Sequence, residues 1–134
     1  IITVGRDVTL SEQGRVSNTG SGDILINAGR DTTLSGTTFI TPTGGGSLIN
    51  HSGRDITMSD TAFVSANTTG DLVLDAGRNA TFQNGANATN SGSGVLNVAA
   101  GDTLTLQDTA FLTITGSGDL HTRSGMDTSL SGSA

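Results

Sequence analysis

The chain contains no cysteine, tryptophan, tyrosine or lysine among its 134 residues, and its aromatic side chains are four phenylalanines. The absence of cysteine excludes disulfide bonds, and it is compatible with a bacterial surface protein that crosses the cell envelope unfolded. With a net charge of −6 the sequence offers no basic patch to neutralise phosphates, which argues against a nucleic-acid partner. No run of about 18 apolar residues occurs, so we expect no membrane insertion.

Glycine is abundant instead, with 20 residues, and much of the remaining sequence is Ser, Thr, Asn and Asp. Such a polar composition is found in disordered segments, but those lack periodicity, and this sequence is strictly periodic. The phrase "GRDTTL" that begins at Gly29 has near copies at Gly5 and Gly53, and a glycine recurs every 24 residues along the chain. These predicted turn glycines are Gly5, Gly29, Gly53, Gly77, Gly101 and Gly125. Repetition of this period indicates a solenoid.

We number each repeat from its glycine as position 1. Coils 1 to 5 are then residues 5–28, 29–52, 53–76, 77–100 and 101–124, with partial coils at 1–4 and 125–134. The whole chain, 1–134, is predicted to be a single repeat segment. Because it starts at Ile1 without a methionine or a signal peptide, we interpret it as a piece of a longer array.

Apolar residues favour even positions, which is the two-residue period of a β-strand, and the wealth of glycine and β-branched residues argues against helices. Strand-like segments fall near positions 3–7, 10–14 and 19–23. The clearest predicted core row, at position 6, is Leu10, Leu34, Met58, Phe82, Leu106 and Leu130.

The predicted fold is therefore all-β: a parallel β-helix with 24 residues and about three short strands per coil, its coils stacked about 4.8 Å apart. We expect it to be right-handed, because crossovers between parallel strands strongly favour that hand. Each glycine at position 1 should supply a backbone angle or a close approach that a Cβ would block.

Charged residues also form columns. Arginine recurs at position 2 (Arg6, Arg30, Arg54, Arg78) and aspartate at position 3 (Asp7, Asp31, Asp55, Asp127). Like charges about 4.8 Å apart repel by about 0.9 kcal/mol in water, so we expect the two columns to neutralise each other at a corner. The functional alternative is that the four arginines form a ligand-facing ladder for anionic glycans.

Acidic residues at positions 8 and 19 occur in alternate coils. Position 8 carries Glu12, Asp60 and Asp108, and position 19 carries Asp23, Asp71 and Asp119. This alternation doubles the spacing between charges to about one Debye length, and we interpret it as a way to limit self-repulsion.

No motif predicts catalysis, a metal site or a cofactor, and we expect a protein that is not an enzyme. The "GSGD" segments at Gly20 and Gly116 favour turns over calcium sites, whose repeats would be nine residues long. His51 and His121 lie three coils apart, too far to share a metal ion or a proton. Sites for polysaccharide lyases and hydrolases need clustered carboxylates under long loops, and no loop interrupts the 24-residue module.

Three phenylalanines share position 11, out of phase with the interior rows: Phe39, Phe63 and Phe111. We expect them to fold inward at a corner, with an exposed apolar strip as the alternative. Four Asn-X-Ser/Thr sequons, at Asn50, Asn67, Asn79 and Asn87, would allow glycosylation, although a chain of this composition generates such triplets by chance.

The segment "AGRDTTL" at Ala28–Leu34, and more loosely "AGRNATF" at Ala76–Phe82, resembles the repeats of filamentous-haemagglutinin-like exoproteins, large bacterial proteins exported by two-partner secretion. The resemblance covers essentially the whole chain and implies a right-handed β-helical shaft on a Gram-negative cell surface. It implies an extracellular, structural role: presenting adhesive or toxin regions that bind a host glycan or protein receptor.

Two other classes remain open. One is a self-assembling extracellular fibre or phage-tail segment, in which end-to-end copies extend the array, because uncapped strand edges at both ends favour association. The other is a carbohydrate-binding or lyase β-helix. In every case the immediate partners of a coil are its neighbouring coils.

Overall fold

The computed structural model describes residues 1–67 and 69–134 and consists of short parallel strands, with no helix in these ranges. Three strands per coil form three sheets. Sheet A contains β1 (Ile2–Val4), β4 (Ile24–Ala28), β7 (Leu48–Ser52), β10 (Leu72–Ala76), β13 (Leu96–Ala100) and β16 (Leu120–Ser124). Sheet B contains β2 (Val8–Leu10), β5 (Thr32–Leu34), β8 (Ile56–Met58), β11 (Ala80–Phe82), β14 (Leu104–Leu106) and β17 (Thr128–Leu130). Sheet C contains β3 (Arg15–Asn18), β6 (Phe39–Pro42), β9 (Phe63–Ala66), β12 (Asn87–Asn90) and β15 (Phe111–Ile114).

The pairing register confirms the 24-residue coil. Leu10 pairs with Leu34, and Leu34 in turn pairs with Met58, and the same offset holds in all three sheets. Strands occupy positions 4–6, 11–14 and 20–24, close to the predicted segments. The chain is therefore a β-solenoid of about five coils, while its right hand remains a prediction.

Alternate side chains of every strand point into the solenoid, as the two-residue period predicts. In the position-6 row, Leu34, Met58 and Phe82 are at most 1% exposed and Leu106 is 6% exposed. The row is less protected at its ends, where Leu10 is half-buried and Leu130 is 65% exposed. Leu130, a predicted member of the core row, is not buried in this structure, because β17 is an edge strand of sheet B.

In coil 4 a large interior side chain is accompanied by small ones. Phe82 is larger than the other members of the position-6 row, and the same coil carries the small residues Ala80 and Ala88 where coil 3 has Ile56 and Val64. All of these side chains are buried. The large side chain of Phe82 is thus accompanied by small side chains at two other interior positions of its coil, which is consistent with close packing.

Coil 2 is unusual because part of its interior is polar. The Ser52 hydroxyl donates to Thr32 Oγ1 at 2.8 Å, and the Thr32 hydroxyl donates to Asn50 Oδ1 at 3.1 Å. Asn50 Nδ2 and Thr38 Oγ1 are buried without a partner in the described residues. Since unsatisfied buried polar groups cost free energy, these two atoms reduce the stability that the coil gains from its buried interior.

Most of the predicted turn glycines lie where adjacent coils leave no room for a Cβ. A Cβ at Gly53 would lie 3.1 Å from the carbonyl carbon of Gly29 and closer still to its oxygen, and the same clash recurs at Gly29, Gly77, Gly101 and Gly125. Positive φ is found at other glycines, not at these. Of the two predicted reasons for glycine at position 1, close approach is therefore the correct one.

The structure shows a second column of closely packed glycines, at position 18, which the sequence pattern did not predict. It consists of Gly22, Gly46, Gly70, Gly94 and Gly118. A Cβ at any of the last four would meet the carbonyl oxygen of the glycine one coil below. This corner, between sheets C and A, is subject to the same steric limit as the corner between sheets A and B.

Replacing Leu34 by Asp should place an unpaired charge in the fully buried row. We expect the free energy of unfolding to fall by more than about 3 kcal/mol. The control Thr33→Asp changes the adjacent, outward-facing residue and should cost well under about 1 kcal/mol. Urea denaturation followed by far-ultraviolet circular dichroism measures both, and equal losses in the two variants would contradict the interior assignment.

For the polar residues inside coil 2 we predict the opposite effect, a gain in stability when they are replaced by apolar residues. The triple variant Thr32→Val, Asn50→Leu, Ser52→Ala replaces the whole network by residues of the kind found at these positions in coils 1 and 3. We expect it to be more stable than the wild type by about 1–3 kcal/mol, because an unsatisfied buried donor is removed together with its partners.

The single variant Asn50→Ala is the control for the triple variant. It should be less stable than the wild type, because it leaves a cavity and removes the acceptor of Thr32. Urea midpoints of the two variants should lie on opposite sides of the wild-type midpoint. A triple variant less stable than Asn50→Ala would contradict the explanation.

Candidate functional site

The arginine and aspartate columns meet at the corner between sheets A and B and form a ladder of ion pairs. Arg30 Nε and Nη2 donate to Asp7 Oδ1 and Oδ2 at 2.9 and 2.8 Å. Arg54 binds Asp31 in the same bidentate manner, at 3.0 and 2.6 Å. In both cases the guanidinium of one coil reaches the carboxylate of the coil below it, which is the strongest geometry for this pair.

The next rung joins Arg78 to Asp55, with distances of 3.3 and 2.8 Å. Asp55 Oδ1 also accepts hydrogen bonds from the Asn79 backbone at 3.1 Å and from Asn79 Nδ2 at 3.0 Å. Within coil 3, Arg54 Nε lies 3.3 Å from Asp55 Oδ2. Each inner carboxylate therefore lies between two guanidinium groups, and the predicted mutual neutralisation of the two columns is confirmed.

This arrangement shifts the acid–base equilibria of the ladder. The hydrogen bonds from the Arg30 side chain hold the pKa of Asp7 below its ordinary value of 3.8. Those from Arg78 do the same for the pKa of Asp55. The reciprocal hydrogen bonds to Asp7 and Asp55 raise the pKa values of Arg30 and Arg78. Both partners therefore stay charged at neutral pH.

The ladder leaves little free positive charge for a ligand. Arg30, Arg54 and Arg78 already direct two donors each at a carboxylate, and an anionic glycan would have to displace these bonds. Arg6 is different, because its side chain is 75% exposed and its contact with Asp7, at 3.9 Å, is long. The ladder stops above Arg78, where position 2 is Asp102 and then Met126. The geometry of the Arg–Asp ladder is that of a structural link between successive coils.

The acidic residues of position 8 have a role that charge spacing alone did not predict. Every residue at this position has positive φ, between 58° and 74°. The column is Glu12, Gly36, Asp60, Asn84, Asp108 and Gly132. Gly, Asn and Asp tolerate the left-handed conformation best, so the backbone of this corner, between sheets B and C, selects these residue types.

The carboxylates of this corner also bond to the coil below. Asp60 Oδ2 accepts a hydrogen bond from the Gly36 amide at 2.9 Å, and Asp108 Oδ2 accepts one from the Asn84 amide at 3.2 Å. At position 19, Asp23 Oδ1 accepts from the Ser47 amide at 2.7 Å and Asp71 Oδ1 from the Val95 amide at 2.8 Å. These carboxylates link successive coils by hydrogen bonds. The spacing of the charges explained why the acids alternate between coils, and the hydrogen bonds explain why the residues are acidic.

The expectation that the phenylalanines of position 11 fold inward at a corner is wrong. They begin strands β6, β9 and β15, and their side chains point outward because the interior positions of these strands are 12 and 14. Phe39 is 38% and Phe111 44% exposed, while Phe63 is half-buried. The rings of Phe39 and Phe63 contact each other with centroids 5.7 Å apart. Sheet C therefore carries an exposed apolar strip, interrupted by Asn87.

The two histidines are separate, as predicted from their spacing. His51 lies on the outer face of sheet A, with its Nδ1 3.2 Å from Asp75 Oδ2, and His121 is exposed on β16, three strands away. His51 and Asp75 border a shallow groove of about 410 Å³ whose floor includes Gly29 and Gly53.

The segment containing the first "GSGD" is a turn held by an asparagine. Gly20 donates its amide to Asn18 Oδ1 at 2.9 Å, and Asn18 Nδ2 donates to the Gly22 carbonyl. In coil 4, Asn90 Oδ1 likewise accepts from the Gly92 amide at 2.9 Å. Over residues 1–67 and 69–134, no group of three or more His, Cys, Asp or Glu side chains could hold a metal ion.

The sequon asparagines differ in accessibility. Asn50 is 1% exposed and belongs to the buried network of coil 2, which removes it as an acceptor in the folded protein. Asn79 is half-buried and donates to Asp55. Asn67 is exposed, and Asn87 is half-buried on the outer face of sheet C.

Comparisons with protein-family models, with curated proteins and with solved structures found no match for this chain. Within the described part of the chain there is no helix long and apolar enough to cross a membrane.

The ladder predicts a specific loss of stability in acid. The pKa values of Asp7 and Asp55 are lower in the folded protein than their ordinary value of 3.8. The ionised carboxylates therefore stabilise the folded state above pH 3.8, and this stabilisation is lost as the pH falls through the lower pKa values of the folded state. At pH 7, Asp55→Asn should melt below the wild type, and this difference should shrink as the pH is lowered below 3.8.

Asp119→Asn is the matched control, because it removes one exposed carboxylate away from the ladder. Its melting temperature should follow that of the wild type at every pH. Thermal melts at closely spaced pH values test both variants. A gap between Asp55→Asn and the wild type that stays constant down to the most acidic pH would contradict a stabilising role of the ionised carboxylate.

Proposed function

We propose that the chain is a stiff shaft segment of a bacterial surface exoprotein, which holds adhesive or toxin-bearing regions away from the cell. The observation that carries the proposal is the unbroken register: residue n pairs with residue n + 24 in all three sheets without slip. A repeat that varies in length would bend or interrupt the rod, whereas this one adds a constant rise of about 4.8 Å per coil.

The corners support a mechanical role. One is joined by bidentate Arg–Asp rungs, a second by carboxylates that accept amides of the coil below, and the third by glycines in close contact. Each of these devices links adjacent coils, so bending at one corner would break hydrogen bonds or create clashes. A stiff rod suits a spacer, and the resemblance to filamentous-haemagglutinin-like repeats supports a surface location.

Coil duplication tests the spacer function. A second copy of residues 53–100 inserted after Ala100 keeps position 1 following position 24 and adds two coils. Since the chain has no cysteine, spin labels can be placed at Thr9→Cys and Thr105→Cys, both outward-facing and four coils apart. Their separation should rise from roughly 19 Å to roughly 29 Å with a narrow distribution, as measured by pulsed electron paramagnetic resonance.

The control insertion repeats residues 53–64, which is half a coil, and so places outward-facing residues over interior rows. It should lower the melting temperature and broaden the distance distribution. A broad distribution in the full two-coil insertion would count against a stiff spacer. The surface location is tested separately: antibodies against the chain should label intact cells of the source bacterium, and labelling after permeabilisation alone would refute it.

A further inference from the structure

The outer face of sheet C combines accessible aromatic side chains with borders of negative charge. Phe39 is 38% exposed, Phe63 is half-buried, and their ring centroids lie 5.7 Å apart on the neighbouring coils 2 and 3. Acidic columns occupy both corners that border this sheet, at positions 8 and 19. They consist of Glu12, Asp60 and Asp108 on one side and of Asp23, Asp71 and Asp119 on the other, and all six residues are exposed.

The charge of these six residues is not neutralised by cations of the chain. Over residues 1–67 and 69–134, none of the six forms an ion pair. Their hydrogen-bond donors are neutral, as when Asp60 accepts from the Gly36 amide and Asp71 from the Val95 amide. Such bonds hold the carboxylates in place without removing their charge.

The net charge of the chain is therefore concentrated beside sheet C. The chain has 12 acidic residues and six arginines, and of the arginines only Arg15 belongs to a strand of sheet C. The five other arginines share the rest of the surface with the other six acids. Nearly all of the net charge of −6 thus belongs to the side of the rod that carries the phenylalanines, and a field of this sign attracts cationic partners.

The outer face of sheet A differs, although it also has an apolar row. Leu25, Ile49 and Val73 lie at outward positions of β4, β7 and β10 and are half-buried. One border of sheet A is the corner at which arginine and aspartate neutralise each other. Sheet C is the face on which apolar side chains lie between two columns of uncompensated carboxylates.

We propose that the outer face of sheet C around Phe39 and Phe63 binds a cationic amphipathic α-helix of a partner protein, which lies along the rod. The apolar side chains of the helix pack on the two rings, and its lysine or arginine side chains face the acidic columns. The spacing fits this partner, because one turn of a helix rises about 5.4 Å and the ring centroids are 5.7 Å apart. This site is additional to the shaft function, which stands whether or not the helix binds.

The sign of the charge distinguishes this partner from other occupants of an apolar face. A second copy that packed its sheet C on this one would bring two acidic borders together. An anionic lipid surface or an acidic polysaccharide would be repelled in the same way. A cationic helix is attracted by both borders and gains hydrophobic contact from the rings between them.

A designed peptide of about 18 residues tests the site, with leucine on one helical face, lysine on the other and a single tryptophan. Since the chain has no tryptophan or tyrosine, the fluorescence of the mixture reports on the peptide. We expect the peptide to bind the 134-residue chain at low ionic strength and to be released by salt. Two comparison peptides replace lysine by glutamate or leucine by alanine, and each should bind at least about tenfold more weakly.

Variants of the aromatic residues locate the contact. The double variant Phe39→Thr, Phe63→Thr removes both rings at outward positions, and binding of the lysine–leucine peptide should weaken at least about tenfold. The matched control Ile49→Thr, Val73→Thr makes the same kind of change on the outer face of sheet A and should leave the affinity unchanged. Circular dichroism melts verify that both variants fold.

Variants of the acidic columns test the role of charge. Asp60→Asn with Asp71→Asn removes one carboxylate from each border and should weaken binding about threefold to tenfold at low salt, with no difference left at high salt. Asparagine fits the backbone at position 8, as Asn84 shows. The control Asp75→Asn with Asp102→Asn removes the same charge away from sheet C and should change the affinity less than about twofold.

Four results would each overturn the proposal. Equal binding of the lysine–alanine and lysine–leucine peptides would mean that charge alone accounts for the affinity. Full affinity in the double phenylalanine variant would place the contact elsewhere. Self-association of the chain in sedimentation velocity, if the phenylalanine variant abolishes it, would make a second copy the occupant. Binding to vesicles of anionic phospholipid, lost in the same variant, would assign the face to a membrane.

Discussion

Paired strand residues of this chain lie on their counterparts 24 residues away, at about 4.8 Å, and the rest of the structure depends on this constraint. A column must tolerate contact between its own members. Leucine satisfies this condition in the interior by packing on leucine, and glycine satisfies it at corners where a carbonyl leaves no room for a Cβ. A column of like charges repels itself unless the adjoining column carries the opposite charge. The ion pair between Arg30 and Asp7 provides this neutralisation.

Whatever follows from the period alone could be predicted from the sequence: the coil starts, the three strands, the parallel register and the interior row at position 6. The orientation of Phe39 could not be predicted in this way. Its hydrophobicity favoured the interior, whereas its position in strand β6 points its side chain outward. The positive φ at Asp60 was also missed, although Glu, Gly, Asp and Asn in one column are mostly the types that tolerate this conformation. The exact partner of each ladder carboxylate required coordinates, since Arg30 could have bonded within its own coil or to either neighbour.

The surface and the interior of the solenoid use polarity differently. Outside, the side chain of Asp71 accepts a backbone amide of the following coil and that of Asp108 accepts one of the preceding coil, so these charges are tied to the stacking itself. Inside, the network of Thr32, Asn50 and Ser52 satisfies most of its own groups and leaves an amide nitrogen unpaired. A polar group at the edge of a coil therefore adds a bond between coils, whereas the hydrogen bonds of the network in coil 2 lie within that coil and displace apolar packing.

In a solenoid each coil contacts its two neighbours, so stability is approximately a sum of coil terms and interface terms. The positions of the Arg–Asp rungs determine which of these interface terms they strengthen. Arg30 joins coil 2 to coil 1 and Arg54 joins coil 3 to coil 2, so the coil with the polar interior is held by bidentate rungs on both sides. Above Arg78 the rungs stop, and there the interior is filled by Phe82, Leu96 and Leu104. Bidentate ion pairs therefore flank the coil whose interior contains unpaired polar atoms, and they add to the interface terms on both of its sides.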